Sequence, residues 1–573
     1  MIKKNIILVL LQLLALNLIF GQKHDFNWIL GTSPWKGDFL NFHDYELKIS
    51  MVDKSTPFNI TIVAMSSNAG EFIFSYNGLN IQDKALDTMQ NSDGFALGIL
   101  PNLYSTTGAA FTQGSLALPS QKDTNQFLLF YWDFDVYIYA PDSPYAAPYH
   151  LYMAKIDQSG NNGLGTVIEK NILLISDTLA NAGITATKHA NGRDWWVVVP
   201  EIVSNRYHTL LISKDSLVQS FSQPIGVRWP PTVDVVSPSV FNSKGDKYYR
   251  FSDLVGIQIF DFDRCTGVFN NNQLIPYEFN EGYISGFALS RDGRYAYISE
   301  PNNLYQYDVM NSAIEGSRTL IDTYDGFMNP APYPCNFLNP QLAPDGRIYL
   351  GSWGGCKNIH VINHPERKGL DCDFRQHGID LNTFHKGGLP NNPNYRLGPI
   401  DGSPCDTLGI DNIPLSAFRY DRDSSDYRRI EFNELADYEP ETWHWQFGDG
   451  DTSWQRYPVH VYDTTGTYQA CLTVTNQNGA DTYCKTIQLG VSSASSVTKQ
   501  VEKEIYYAFA TQRLILKSNE IEQLLLFDAA GRTFQQHSKP GEWVDVSALK
   551  NGFYFWQATD KSGKWSSGRF VKM

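Results

Sequence analysis

The chain has 573 residues, a net charge of −14 and a pI near 5.3, with 42% hydrophobic, 18% charged and 14% aromatic residues. One core rarely grows beyond ~250–300 residues, so this length implies several domains or a repeat architecture, and the composition is that of a folded chain. The acidic balance excludes a broad electrostatic footprint for nucleic acid or an anionic membrane; the densest charged run, RYDRDSSDYRR, mixes signs and reads as a solvated face.

At the start, Lys3 and Lys4 precede an apolar run from Ile6 to Phe20, and Gly21 follows. A basic start, an apolar core and a small residue predict a secretory signal peptide over residues 1–21. As a membrane anchor the run is short of the ~20 residues a span needs, and it contains Gln12 and Asn17. No later segment is long and apolar enough to span a bilayer, so no transmembrane segment is expected after cleavage. An exported chain meets an oxidising compartment, which permits disulfides among the seven cysteines and leaves at least one over. No CxxC or His-rich spacing points to zinc.

Residues 24–400 carry a weak internal repeat. TKHANGRDWWVVVPE, VFNSKGDKYYRFSD, ALSRDGRYAYISE and LAPDGRIYLGSW each set a polar turn before a strand rich in aromatic and β-branched residues. The turn glycines Gly192, Gly245, Gly293 and Gly346 are separated by 53, 48 and 53 residues. Looser copies stand around Gly70 and Asn125. A period near 50 with several strands per unit predicts a β-propeller, here resembling the WD40/YVTN-like kind. The turn joins the two inner strands of a blade, and the strand after it is apolar on both faces because neighbouring blades cover both. Six such units are visible; FNWILGTSPW at one end and NIHVINHPERKGLDCDF at the other are expected to share a seventh blade, with six or eight blades as alternatives.

DGSPCDTLGIDNIPL, over residues 401–415, suits a domain edge. Residues 416–490 form the next unit. Trp443 and Trp445 alternate with polar neighbours, Asp449-Gly450 makes a tight turn, and Tyr468, Ala470, Leu472 and Val474 share one strand face. Cys471 and Cys484 flank the QNG turn nearly symmetrically, so a cross-strand Cys471–Cys484 disulfide is predicted. Trp445, Phe447, Gly448, Asp449 and Gly450, then His460 and Tyr462, then Gly466 and Tyr468, resemble the polycystic-kidney-disease (PKD) type of immunoglobulin-like domain. The resemblance implies a seven-stranded sandwich used as a spacer or interaction module. Asp449 and Asp451 are two carboxylates where calcium wants six to eight oxygens, so this acidic turn reads as a fold corner.

The polar stretch 491–504 reads as a second linker, and residues 505–573 as a small β-sandwich. Leu524 to Phe527, Asp528, Gly531, VDVSAL ending at Leu549, Gly552, Tyr554 and Lys572 resemble the C-terminal sorting domain of the type IX secretion system. That resemblance implies transient engagement of the secretion machinery and export to the cell surface or medium. The whole order resembles surface-associated proteins of Bacteroidetes-type bacteria.

No GxSxG, HExxH, EF-hand loop or GxxxxGK[ST] occurs. Four weaker candidates remain: His385 and Lys386 in GIDLNTFHKGGLPNNP, read as a long loop; His364, Glu366, Asp371 and Asp373 in a solvated loop; Asp133 and Asp135 on one face of an extended segment; and Trp195 and Trp196, read as core. No catalytic or metal-ligating set is assigned and no cofactor is expected. The expected fold is all-β: propeller, PKD sandwich, sorting sandwich. The expected function is non-enzymatic binding of a protein or glycan partner, with a propeller-based hydrolase or lyase, or an accessory part of the secretion or gliding machinery, as alternatives.

Overall fold

The structure, a computed structural model, describes residues 22–140, 143–230, 237–277, 285–423, 425–489, 505–508, 513–516, 521–527, 533–538, 541, 543–550, 552–561 and 565–572. The signal-peptide stretch 1–21 and the linker 491–504 lie outside the described residues. The chain divides into two compact units, Met1–Gly490 and Val491–Met573.

Seven antiparallel sheets of three or four strands succeed one another among the described residues of the first unit before residue 386. The first holds Asn27–Leu30, Lys36–Asn41 and Lys48–Asp53; the second holds Val63–Ser66, Phe72–Tyr76 and Ile81–Gln82. The third to seventh have four strands each and begin at Leu116–Pro119, Thr185–Lys188, Ser239–Phe241, Gly286–Leu289 and Leu338–Leu342. In the third sheet an extra hairpin, Asp135–Ala140 and Ser143–Ala147, interrupts the sequence between its second and third strands.

All the repeat turns join first to second strands. Gly192, Gly245, Gly293 and Gly346 hold φ of +75°, +69°, +73° and +79°, the left-handed region that glycine enters without strain. Three of the second strands, Trp195–Pro200, Tyr295–Ser299 and Ile348–Gly351, are buried along their length.

The hydrophobic cores lie between sheets. One cluster joins the second, third and fourth sheets, and others join fourth to fifth, fifth to sixth and sixth to seventh. A further cluster joins Tyr349, Val361 and Leu381 of the seventh sheet to Trp28 and Leu40 of the first and Ile62 and Ala64 beside and within the second. The circuit of side-by-side packing therefore returns to its start. Polar contacts reinforce that junction: Asp38 accepts hydrogen bonds from the Asn382 and Thr383 amides, both at 2.8 Å, and from the Thr383 hydroxyl.

Two expectations need correction. NIHVINHPERKGLDCDF supplies the third and fourth strands of the seventh sheet, Cys356–Ile362 and Phe374–His385, and the N-terminal piece builds a three-stranded sheet of its own. GIDLNTFH is not loop but the end of that last strand, and the segment after it, the axial segment 386–399, reaches the innermost strands of several sheets. There Asn391 donates to the Ser115 and Ile184 carbonyls, Tyr395 to Ala117, and Asn394 to Ser243, while Arg264 donates to the Gly398 carbonyl. These partners come from inner strands and turns of different sheets, which a surface loop could not reach.

The sandwich has two sheets, one of Phe418–Arg422, Arg429–Glu434 and Val459–Val461, the other of Thr452–Ser453, Thr442–Gln446, Gly466–Asn476 and Gly479–Leu489. Their inner faces close over Trp445, Phe447, Phe418, Phe432, Leu472 and Ile487. It does not stand off as a free spacer. Arg347 of the seventh sheet reaches Asp421 at 2.6 Å, Arg291 reaches the Leu435 carbonyl at 2.8 Å, and Arg367 meets Glu431 at 3.2 Å. A Cβ on Gly346 would meet the Leu435 side chain at 2.6 Å.

Three disulfides occur: Cys471–Cys484 across the sandwich hairpin, Cys335–Cys356 within the seventh sheet's edge loops, and Cys265–Cys405. The last ties the fifth sheet to the segment entering the sandwich across 140 residues, a closure worth about 2–4 kcal/mol. Cys372 is the free cysteine and is buried; burial pushes its thiol up to about 11. The native protein should therefore show no reactive thiol towards a disulfide reagent, and one after denaturation. Two or more native thiols would overturn these pairings.

The second unit has a sheet of Ile505–Ala508, Arg513–Leu516 and Trp543–Asp545 and another of Thr533–Ser538, Ile521–Phe527, Gly552–Asp560 and Trp565–Lys572. Leu514, Leu524, Leu526, Val544 and Trp556 form its core.

Candidate functional site

A cavity of about 520 Å³ lies beside the axial segment. Inner strands of the fifth, sixth and seventh sheets wall one side, and residues 389–398 of that segment wall the other. Sandwich residues Tyr438, Glu439, Glu441, Trp443 and Arg456 rim it. Its lining is rich in amides: Gln113, Asn242, Asn339, Gln341, Asn392 and Asn394.

Several charged groups of the cavity are tied to one another. Arg396 grips Asp25 with two hydrogen bonds of 2.7 Å and lies 3.2 Å from Asp437. Asp437 also takes Arg291. Burial works against the Arg396 guanidinium, but Asp25 and Asp437 outweigh it and hold the group more firmly protonated than usual. Asp292 accepts from the Ser290 hydroxyl at 2.5 Å. A general acid or base needs a group free to exchange a proton with a substrate. These carboxylates are engaged by cations or hydroxyls of the same chain.

His385 is fully buried at the end of its strand, where burial lowers it to about 4, and neither ring nitrogen has a hydrogen-bond partner; Lys386 is exposed beside it. His364 approaches Glu366 at 3.7 Å, whereas Asp373 pairs with Arg375 at 2.7 Å, so of the four residues of that loop His364 and Glu366 alone are shown meeting. Asp133 anchors the inserted hairpin by accepting the Tyr149 and His150 amides and the His150 ring, while Asp135 caps the Val136 amide. They do not converge. Trp195 and Trp196 are buried; Trp196 donates to the Arg264 carbonyl at 2.8 Å.

In the sandwich, Trp445 is buried and donates to the Gln455 carbonyl at 2.9 Å. The His460 ring stacks on Phe447 at 4.1 Å and bonds Asp449 at 2.6 Å. Burial pushes the Asp449 carboxyl up, but His460 and the Asp451 amide hold it below its ordinary value. Gly448 (φ +88°) leaves no room for a Cβ, which would stand 2.7 Å from the Gln469 carbonyl oxygen, and Gly450 sits at φ +109°. Tyr462 donates to the Phe447 carbonyl, and Tyr468, two residues past Gly466, to that of Thr464. Each motif residue thus has a role inside the sandwich. In the second unit Leu549 is half-buried, Tyr554 donates to the Lys550 carbonyl, Gly552 begins a strand, and buried Lys572 donates to Val546; Asp528 and Gly531 lie outside the described residues.

Sequence reasoning missed an aromatic patch at the junction of the first and last sheets. Trp35, Tyr333 and Trp353 are 73%, 48% and 45% exposed. Phe384 links them: its ring lies 5.1 Å from that of Tyr333, its carbonyl accepts the Thr32 amide, and it stands 2.7 Å from where a Gly355 Cβ would be. The loops GTSPW and SWGGC signalled this, each presenting one Trp among small turn residues. They leave from strand ends opposite the turns on which the sandwich sits.

Known structures resemble parts of the chain. A functionally unknown protein from Desulfotomaculum acetoxidans is 11% identical, covering 64% of this chain and 99% of its own, with a TM-score of 0.36. A periplasmic gluconolactonase from Pseudomonas aeruginosa is 12% identical, covering 64% and 98%, with a TM-score of 0.35. The PKD1 domain of Vibrio anguillarum Epp is 26% identical, covering 14% and 96%, with a TM-score of 0.13. Of the chain's parts, residues 418–491 are identified by their match to the family model of the PKD domain.

Proposed function

We propose that the protein is an exported binding protein whose seven sheets are the blades of one propeller, and which holds an extracellular protein or glycan on the aromatic face turned away from the sandwich. The exposed cluster Trp35, Tyr333 and Trp353 carries this reading, since large exposed aromatics at one locus are what hot spots and sugar platforms use. Its loops are fixed by Cys335–Cys356 and by the hydrogen bonds of Asp38, so they meet a partner preorganised. Asp25, Asp292 and Asp437 of the cavity, engaged within the chain, offer less to a hydrolase or lyase. The proposed cleavage after Gly21 would leave Gln22, whose side chain accepts from Lys188 at 2.9 Å and whose carbonyl accepts from Arg396. Disulfides and a PKD domain suit life outside the cell, and the C-terminal motifs suit type IX sorting to the surface or medium.

The test is a screen of the purified chain against glycan arrays and secreted host proteins, followed by the W35A and W353A variants. Each should weaken the ligand found by tenfold or more, about 1.4 kcal/mol. Binding that survives both replacements would move the site off this face.

A further inference from the structure

The crevice between the third and fourth sheets holds a cluster that the proposed binding face does not use. Asp177 follows the outer strand Thr166–Ser176 of the third sheet. Glu201 follows Trp195–Pro200 of the fourth, and His208 stands in the neighbouring strand Arg206–Ser213. A bridge between Leu179 and Glu201 fixes the two sheets at this point. One ligand atom from each of the three side chains lies within 4.8 Å of the others.

His208 is only 8% exposed, and its Nε2 has no hydrogen-bond partner. It points at Asp177 Oδ2, 3.5 Å away, without hydrogen-bond geometry. An unmet buried ring nitrogen costs free energy unless something fills the gap. Asp177 Oδ1 caps the Thr178 amide and Glu201 Oε2 takes Ser204 and Arg206, while Asp177 Oδ2 lies 3.5 Å from His208 Nε2. Asp177 is exposed, Glu201 half-buried and His208 buried, so the cluster opens to water on one side.

We propose that Asp177, Glu201 and His208 form a binding site for a divalent cation of zinc type, with water completing the coordination. One imidazole and two carboxylates suit a borderline ion, whereas calcium takes oxygen ligands alone. Burial lowers the His208 ring below its ordinary value and so keeps it in the neutral, ligating form. Burial and the neighbouring Asp177 raise Glu201. Arg206 and Arg228 are the cations that face the cluster, and the half-exposed Arg206 side chain can swing out as the metal enters. A second such cluster among the described residues, Asp449, Asp451 and His460, differs: there the His460 nitrogen already bonds Asp449 at 2.6 Å.

Zinc titration of the full chain by calorimetry, with D177N, E201Q and H460N in parallel, decides this. Asp177 is at the surface, so D177N tests the site without threatening the fold. D177N and E201Q should each weaken zinc binding at least tenfold and abolish the zinc-induced rise in Tm, while H460N leaves this site intact. No zinc binding at micromolar concentrations, or binding indifferent to D177N and E201Q, would overturn the proposal.

Discussion

Replacing Arg396 by methionine is expected to destabilise the first unit by about 3–5 kcal/mol, the cost of stranding a buried charge. Asp25 and Arg396 are each 8% exposed at the side chain and bind each other twice at 2.7 Å. Arg396 also lies 3.2 Å from Asp437, at the edge of the sandwich, and donates to the Gln22 carbonyl. One guanidinium therefore joins the N-terminal segment, the axial segment and the second domain. Removing it leaves Asp25 buried without a cation, whereas Asp437 keeps Arg291. The double variant D25N/R396M should recover part of the loss, because no charge is then stranded. Urea unfolding of the three proteins measures this. A loss below about 1 kcal/mol for R396M would show that Asp25 finds water instead.

How much of this was legible depended on whether a feature is written locally. The repeat turns are local: Asp-Gly or Asn-Gly before an apolar run needs positive φ at one residue, and Gly192, Gly245, Gly293 and Gly346 supply it. The sandwich motif is local too, since Phe447, Gly448, Asp449 and His460 meet within one short loop system. The axial segment was not legible. KGGLPNNPNYRLGP reads as loop because it has no strand period, and its hydrogen bonds go to Ser115, Ile184 and Ser243, between 151 and 276 residues away. The zinc-type cluster and the aromatic patch were hidden for the same reason: Asp177 meets His208, and the loops carrying Trp35 and Trp353 both meet Phe384, only once the sheets pack side by side. The docked sandwich is a tertiary fact as well. Arg291, Arg347 and Arg367 look like ordinary turn and strand-end charges until Leu435, Asp421 and Glu431 meet them.

Acid should unfold the first unit before its carboxylates titrate. His24, His360 and His385 are buried, and burial is the leading cause that lowers them to about 4, about 3 and about 4. In the unfolded chain all three return to about 6.5. Below that value the unfolded state binds protons that the folded state refuses, so stability falls as pH falls. The contribution is fully present above pH ~6.5 and is lost on the way to the folded values near 4 and 3. Three excess protons give a slope of up to about 4 kcal/mol per pH unit, and a loss on the order of 5 kcal/mol by pH 5. Urea midpoints at pH 7, 6 and 5 read this directly. H24N, whose amide can still donate to the Ser66 carbonyl that His24 Nδ1 meets at 2.7 Å, should lower the slope by about a third. Stability that stays level between pH 6.5 and 5 would mean that these rings reach solvent and protonate in the folded protein.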